Sequence, residues 1–157
     1  MSSLAQIILD PFFRTRVGLA TLICKEWLSF GHRFATRSGF AHRDGKEHCP
    51  VFLQWVDCVF QIARKFPAAF EFNANFLVAL VDNLYAGDNA TFCSDHEQEM
   101  LSRLLAHDGS KSVWDKLVFG DTQKFTNPYY KPTPNHLFFK PYSWNVKLFE
   151  NLYLRAL

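Results

Sequence analysis

Two groupings of residues in this chain invite chemistry. Cys58 and Arg64 are separated by five residues, the bare spacing of a thiol nucleophile followed by an arginine that holds phosphate. That chemistry needs a loop whose backbone N–H groups converge on one phosphate, beside a helix N-terminus that lowers the thiol pKa. The intervening Val59-Phe60-Gln61-Ile62-Ala63 contains no glycine and falls in a helical pattern. On a helix turning about 100° per residue, positions six apart diverge by more than a right angle. The spacing therefore predicts a scaffold position, with Cys58 in the core beside Trp55 and Ile62, and it yields no catalytic residue.

The second grouping is basic. Arg33 and Arg37 are four apart and share a face of any helix that carries them, with His32 adjacent and His42 and Arg43 following. Guanidinium forks suit phosphate oxygens. Cations near a helix C-terminus account for the same spacing, so the residues alone leave both readings open. Metal chemistry finds less support. Cys93-x-x-His96 offers two ligands and His48-Cys49 two more, but no second pair has a matching spacing, so no metal is expected. The phosphate loop Gly-x4-Gly-Lys-Ser/Thr and the nucleophile elbow Gly-x-Ser-x-Gly are both absent, and no cofactor is expected.

These side chains must be positioned by helices. Residues 3–9 read as a helix broken at Asp10-Pro11. Thr15 is placed to cap a second helix running toward Arg37, with Trp27 and Phe34 packing it and Gly39 stopping it. Residues 39–49 read as a surface loop. Pro50 opens a third helix, with Phe52, Trp55, Val56, Val59, Ile62 and Phe66 on one face, and Pro67 ends it. Asn73 caps a fourth helix that stops at Gly87. Ser94-x-x-Glu97 has the capping-box pattern for a fifth, ending near Gly109, and a short helix is expected around Trp114. From Gly120 the character changes. Pro128, Pro132, Pro134 and Pro141 predict a tail that wraps the helices, regaining helical spacing over Asn145–Tyr153.

Composition bounds the rest. The chain has 157 residues, 48% of them hydrophobic and 20% charged, so it can bury a core. Seventeen phenylalanines bring much apolar area for this length. A net charge of +2 gives no ground for nucleic-acid binding. No apolar run reaches the roughly 20 residues of a membrane span, and no secretory signal is visible. Four scattered cysteines read as reduced thiols.

The segment Glu26-Trp27-Leu28-Ser29-Phe30-Gly31-His32-Arg33-Phe34 resembles the myotubularin family of phosphoinositide 3-phosphatases. Leu9-Asp10-Pro11-Phe12-Phe13-Arg14-Thr15, the stretch from Pro50 to Val59, Phe66-Pro67-Ala68-Ala69-Phe70-Glu71-Phe72-Asn73, Ser112-Val113-Trp114 and Asn127-Pro128-Tyr129-Tyr130 are similar in the same order. The resemblance spans nearly the whole chain. It implies a mainly α fold, the helical C-terminal portion of an α/β cysteine-dependent, protein tyrosine phosphatase-like domain. Residues 1–157 are then a partial phosphatase domain, with a helical core over 1–119 and a wrapping tail over 120–157.

The resemblance also places the family's nucleophile loop, Cys-Ser-Asp-Gly-Trp-Asp-Arg, immediately before Met1. The chain is then expected to be inactive alone. The complete form would remove the D3 phosphate from phosphatidylinositol 3-phosphate or 3,5-bisphosphate. Arg37 and Arg33 stand where family arginines hold the head group. Implied partners are the phosphoinositide head group, a membrane surface met peripherally on the cytoplasmic side of endosomes, and oligomers with family members. The alternative is an inactive interaction module, since inactive members of this family work as partners of active ones. For an isolated piece, an exposed apolar patch is expected around Leu4, Ile7 and Ile8.

Overall fold

The computed structural model describes residues 2–39, 47–106, 109, 111–120, 123–132, 135–139 and 145–155. Among the described residues eight α-helices dominate: α1 Ser2–Leu9, α2 Arg16–Ile23, α3 Phe34–Ser38, α4 Val51–Lys65, α5 Ala74–Ala86, α6 Glu97–Leu105, α7 Val113–Leu117 and α8 Glu150–Tyr153. Short 3-10 turns lie at Pro11–Arg14 and Gln123–Phe125, and a π-helical turn at Cys24–Leu28. Among the described residues β pairing is confined to two isolated bridges, Phe72 with Thr126 and Asn89 with Lys111. The protein is mainly helical.

Local signals set most of the helix ends. The Asp10 carboxylate accepts the Phe12 N–H at 2.8 Å, and Pro11 opens the 3-10 turn. Thr15 Oγ1 accepts the Gly18 N–H at 2.9 Å and starts α2. Gly18 is required there for space: a Cβ would lie 1.8 Å from the Phe12 carbonyl oxygen. Asn73 caps α5 by accepting the Phe76 N–H at 3.3 Å, and Gly87 stops it with φ 71°. Gly39 ends α3 with φ 93°.

Helix α4 carries the core. Phe52, Trp55, Val56, Val59 and Ile62 are buried on one face, against Ile7 of α1 and Phe76, Leu77, Leu80 and Leu84 of α5. Packed rings extend it: Phe52 meets Trp27 and Phe34 edge-on with centroids 4.9 and 5.0 Å apart and stacks on Trp55 at 5.4 Å, and Phe92 meets Phe34 edge-on at 5.0 Å. The phenylalanine-rich composition is therefore spent mostly inside. Such pairs are worth about 0.5–1.5 kcal/mol each beyond burial.

The later chain runs over these helices. The Leu137 N–H donates to the Ile8 carbonyl (2.9 Å) and Lys131 N–H to Ala68 (2.8 Å). Gln61 exchanges two bonds with the Lys147 backbone, and Phe149 stacks on Phe60 at 3.8 Å. Fully buried Arg14 donates from Nη2 to the Asn135 carbonyl at 2.8 Å.

Five expectations are corrected. The helix from Thr15 toward Arg37 is not continuous. It widens into the π turn, where Ser29 N–H bonds Cys24 O, and then leaves the helical path at Gly31, φ 84°. The helical spacing over Asn145–Tyr153 yields a helix only at Glu150–Tyr153. Ile7 is fully buried rather than part of an exposed patch, because α4 covers that face of α1. Cys58 is exposed rather than in the core, since it falls outside the buried stripe of α4. Ser94 does not cap α6. Its hydroxyl is buried and donates to Ala90 O at 2.8 Å, and α6 starts two residues later than the pattern implied, capped by His96.

Candidate functional site

The turn from Ser29 to Gly31 delivers His32 and Arg33 to the start of α3. His32 N–H donates to Trp27 O at 2.7 Å, which closes the turn. The His32 ring then stands edge-on to Trp27 (4.9 Å) and Phe34 (4.6 Å). Burial among these rings, reinforced by the Arg37 charge and only partly offset by Asp95, pushes its pKa down to about 4. His32 is neutral at physiological pH.

Arg33 and Arg37 bracket α3. Arg33 is the residue before its first turn, and Arg37 N–H donates to Arg33 O at 2.9 Å. Their side chains have different surroundings. Arg33 is half exposed and shared between two carboxylates, Glu47 Oε2 at 3.0 Å from Nη1 and Asp95 Oδ2 at 3.6 Å from Nε. Its Nη2 also donates to Thr36 Oγ1 at 3.3 Å. Arg37 is half-buried and lines a cleft of only about 10 Å³ with His32, Ser38, Cys49 and Tyr85, so an anion would meet it at the mouth of this cleft and not inside it. Among the described residues no side-chain hydrogen bond or ion pair engages its guanidinium. The pair therefore offers one committed cation and one uncommitted cation. His42 and Arg43 lie outside the described residues.

His32 also faces a second, larger cleft of about 310 Å³, lined by Ser2 and Ser3 at the start of α1 and by Glu26, Trp27 and Gly31. One imidazole thus separates the Arg37 cleft from the N-terminal end of α1.

The comparisons give this geometry its context. Residues 1–101 match the myotubularin-like phosphatase domain. The chain is 37% identical over 159 residues to the myotubularin of Xenopus tropicalis and 39% identical over the same length to that of Rattus norvegicus; each alignment covers 99% of this chain and 26% of the relative. It is 40% identical to the phosphatidylinositol-3,5-bisphosphate 3-phosphatase MTMR2 of Pongo abelii, covering 99% of this chain and 24% of that protein. The chain belongs to the myotubularin-like phosphatase family. It spans about a quarter of the length of these curated relatives.

Within this myotubularin-like chain the Cys58–Arg64 spacing has no catalytic geometry. Both residues lie within α4, Cys58 in its middle and Arg64 in its last turn, so neither is at a helix N-terminus. Partial burial and the neighbouring Asp57 charge raise the Cys58 thiol pKa, the wrong direction for a thiolate nucleophile. Arg64 Nη2 is spent on the Asn145 carbonyl. The Cys93–His96 pair is likewise occupied, since His96 Nδ1 accepts the Glu99 N–H at 3.2 Å. Among the described residues no group of three His, Cys, Asp or Glu side chains gathers for a metal. The His48 ring packs over Gly39, where a Cβ would meet its Nε2 at 2.6 Å.

Sequence reasoning passed over Asp95, Thr36 and Glu47. Asp95 Oδ1 accepts the Thr36 N–H at 2.9 Å and its Oδ2 accepts the Thr36 hydroxyl. Burial alone would raise the Asp95 pKa. The Thr36 hydroxyl and amide, then Arg33, outweigh it and hold the carboxyl below its ordinary value. Nothing local announces this contact, because the partners are 59 residues apart.

Proposed function

We propose that this chain forms the helical wall of a phosphoinositide 3-phosphatase and presents Arg37, with Arg33 beside it, to the acidic inositol head group. The observation that carries the reading is the Arg37 guanidinium, half-buried at a cleft and without a protein acceptor among the described residues. A guanidinium without a protein acceptor leaves its planar fork open to phosphate oxygens. The relative named as a phosphatidylinositol-3,5-bisphosphate 3-phosphatase supplies the matching substrate class.

In the complete enzyme a cysteine thiolate outside this chain would attack phosphorus. The bond from phosphorus to the D3 oxygen would break, and water would then hydrolyse the phosphocysteine. This chain contributes positioning and charge, at the surface of endosomal membranes in the complete protein, and it is inactive alone. An inactive interaction module shares this architecture and differs only in whether an upstream thiol is present.

The test is calorimetric titration of the purified chain with inositol 1,3,5-trisphosphate, the soluble counterpart of the bisphosphorylated head group. Loss of one charged hydrogen bond of about 1.5–3 kcal/mol predicts roughly 10- to 100-fold weaker binding for Arg37→Ala. Equal affinity in wild type and variant overturns the assignment. The same chain should release no phosphate from phosphatidylinositol 3-phosphate; steady release above blank overturns the inactive-alone reading.

A further inference from the structure

Helix α3 is too short to hold itself. Its five residues, Phe34–Ser38, cannot repay the cost of nucleating a helix in isolation. The usual remedy is a side-chain acceptor at the residue before the first turn. That residue is Arg33, which has no acceptor to offer and makes no side-chain cap bond. The N–H groups of the first turn nevertheless have a partner. The Asp95 carboxylate, arriving from the segment before α6, accepts the Thr36 N–H at 2.9 Å with Oδ1 and the Thr36 hydroxyl with Oδ2. The Ala35 N–H lies near the same carboxylate and helps to hold its pKa down.

Asp95 is itself held on three sides. The preceding Ser94 is completely buried and bonded to Ala90 O. The Asp95 N–H donates to Glu99 Oε2 at 2.9 Å. Glu99 is in turn paired with Arg103 one turn further along α6, at 3.0 Å. The carboxylate is therefore a fixed point on the α6 side, and α3 hangs from it. At the other end α3 is tied by the Cys49 N–H, which donates to Arg37 O at 3.2 Å.

We propose that Asp95 is a positioning residue for the head-group site: it caps α3 from a distance and so aims Arg37 into its cleft. The inference rests on the head-group reading above and adds a residue that sequence position alone would not connect to it. Asp95 touches no ligand in this arrangement. It acts through the N–H and the hydroxyl of Thr36, the residue immediately before Arg37.

The experiment pairs amide hydrogen exchange with calorimetric titration of inositol 1,3,5-trisphosphate, on the whole chain and its variants. Asp95→Ala is expected to lose protection at the Ala35 and Thr36 amides, to keep protection in α4 and α5, and to bind about tenfold more weakly. Asp95→Asn retains an oxygen for the Thr36 N–H and removes, as Asp95→Ala does, the carboxylate that competes for Arg33, so the two variants together isolate the cap. Asp95→Asn is expected to recover the protection and to bind at least as tightly as wild type, and binding as weak as that of Asp95→Ala overturns the aiming role. Unchanged exchange in α3, or wild-type affinity in Asp95→Ala, overturns the proposal. Should Asp95→Ala also lose α4 and α5 protection, Thr36→Val decides. With the core intact it should bind about threefold more weakly if α3 is aimed this way, and wild-type affinity overturns the proposal. Wild-type chain that binds no probe overturns the head-group reading and the aiming role together. Wild-type binding that is indifferent to Asp95 overturns the aiming role alone.

Discussion

The α4–α5 pair and the segment from Cys24 to Gly39 are built on opposite principles. In α4 the apolar period runs from Pro50 to the stop before Pro67, in α5 from the Asn73 cap to Gly87, and each helix can be drawn from its own residues. The Cys24–Gly39 segment has a π turn, a left-handed glycine and a five-residue helix whose acceptor comes from elsewhere. It nevertheless carries Arg37, the uncommitted arginine among the described residues, and His32, whose pKa is pushed down. Local consistency makes a scaffold, and departures from it gather where side chains are presented to a ligand. The contrast is open to attack from both sides.

The largest effect belongs to the scaffold. Phe52 is 2% exposed and touches Trp27, Phe34, Trp55 and Phe92. Phe52→Ala removes a ring from a close-packed site and should cost about 3–5 kcal/mol in urea unfolding. Because Phe34 opens α3, the same change should also loosen the site. A cost below about 1 kcal/mol would show that the two regions are not mechanically joined through this ring.

A smaller effect separates them by pH. The folded His32 pKa of about 4 lies below the ordinary value of 6.5. Between those values the unfolded chain binds more protons than the folded one, so stability rises with pH. It is lost as pH falls from 6.5 toward 4, and below 4 this group adds no further slope. Allowing for solvent screening, the loss is on the order of 2 kcal/mol. His32→Phe keeps an aromatic ring against Trp27 and Phe34 and should remove that part of the slope. Unfolding curves at pH 7 and pH 4.5 for both proteins measure the difference, and parallel slopes would place His32 in water.

What could be read from the sequence divides along the same line. The α4 stripe, the Asn73 cap, the Gly39 and Gly87 stops and the family resemblance all rest on residues close in sequence, where spacing carries the signal. The Thr15 cap was legible too, but the end of its helix was not. Trp27 and Leu28 keep the apolar period going, and no proline interrupts it, so only the left-handed Gly31 marks the break. The cap of α6 was misassigned because Ser94 fits the pattern by type, while the buried Ala90 carbonyl outcompetes the helix for its hydroxyl. Arg33 and Arg37 were found as a pair, yet their spacing could not separate them. That separation comes from Glu47 and Asp95, which reach Arg33 from two other segments.

The smallest expected effect tests that last distinction. Arg33 and Glu47 are both at least half exposed, so their ion pair adds only about 0.2–1 kcal/mol to stability. Its larger consequence is competition, because a phosphate that approaches Arg33 must displace the Glu47 carboxylate or share the guanidinium with it. Glu47→Gln removes the competing charge and leaves a neutral side chain of nearly the same shape. Affinity for inositol 1,3,5-trisphosphate should rise by up to about fivefold, the equivalent of the pair's own energy, with urea stability nearly unchanged. The gain should shrink as salt is raised, because an exposed pair is already screened at high ionic strength. If affinity instead falls on removing Glu47, the acid is holding Arg33 in place for the ligand, and the committed and uncommitted arginines work as one unit.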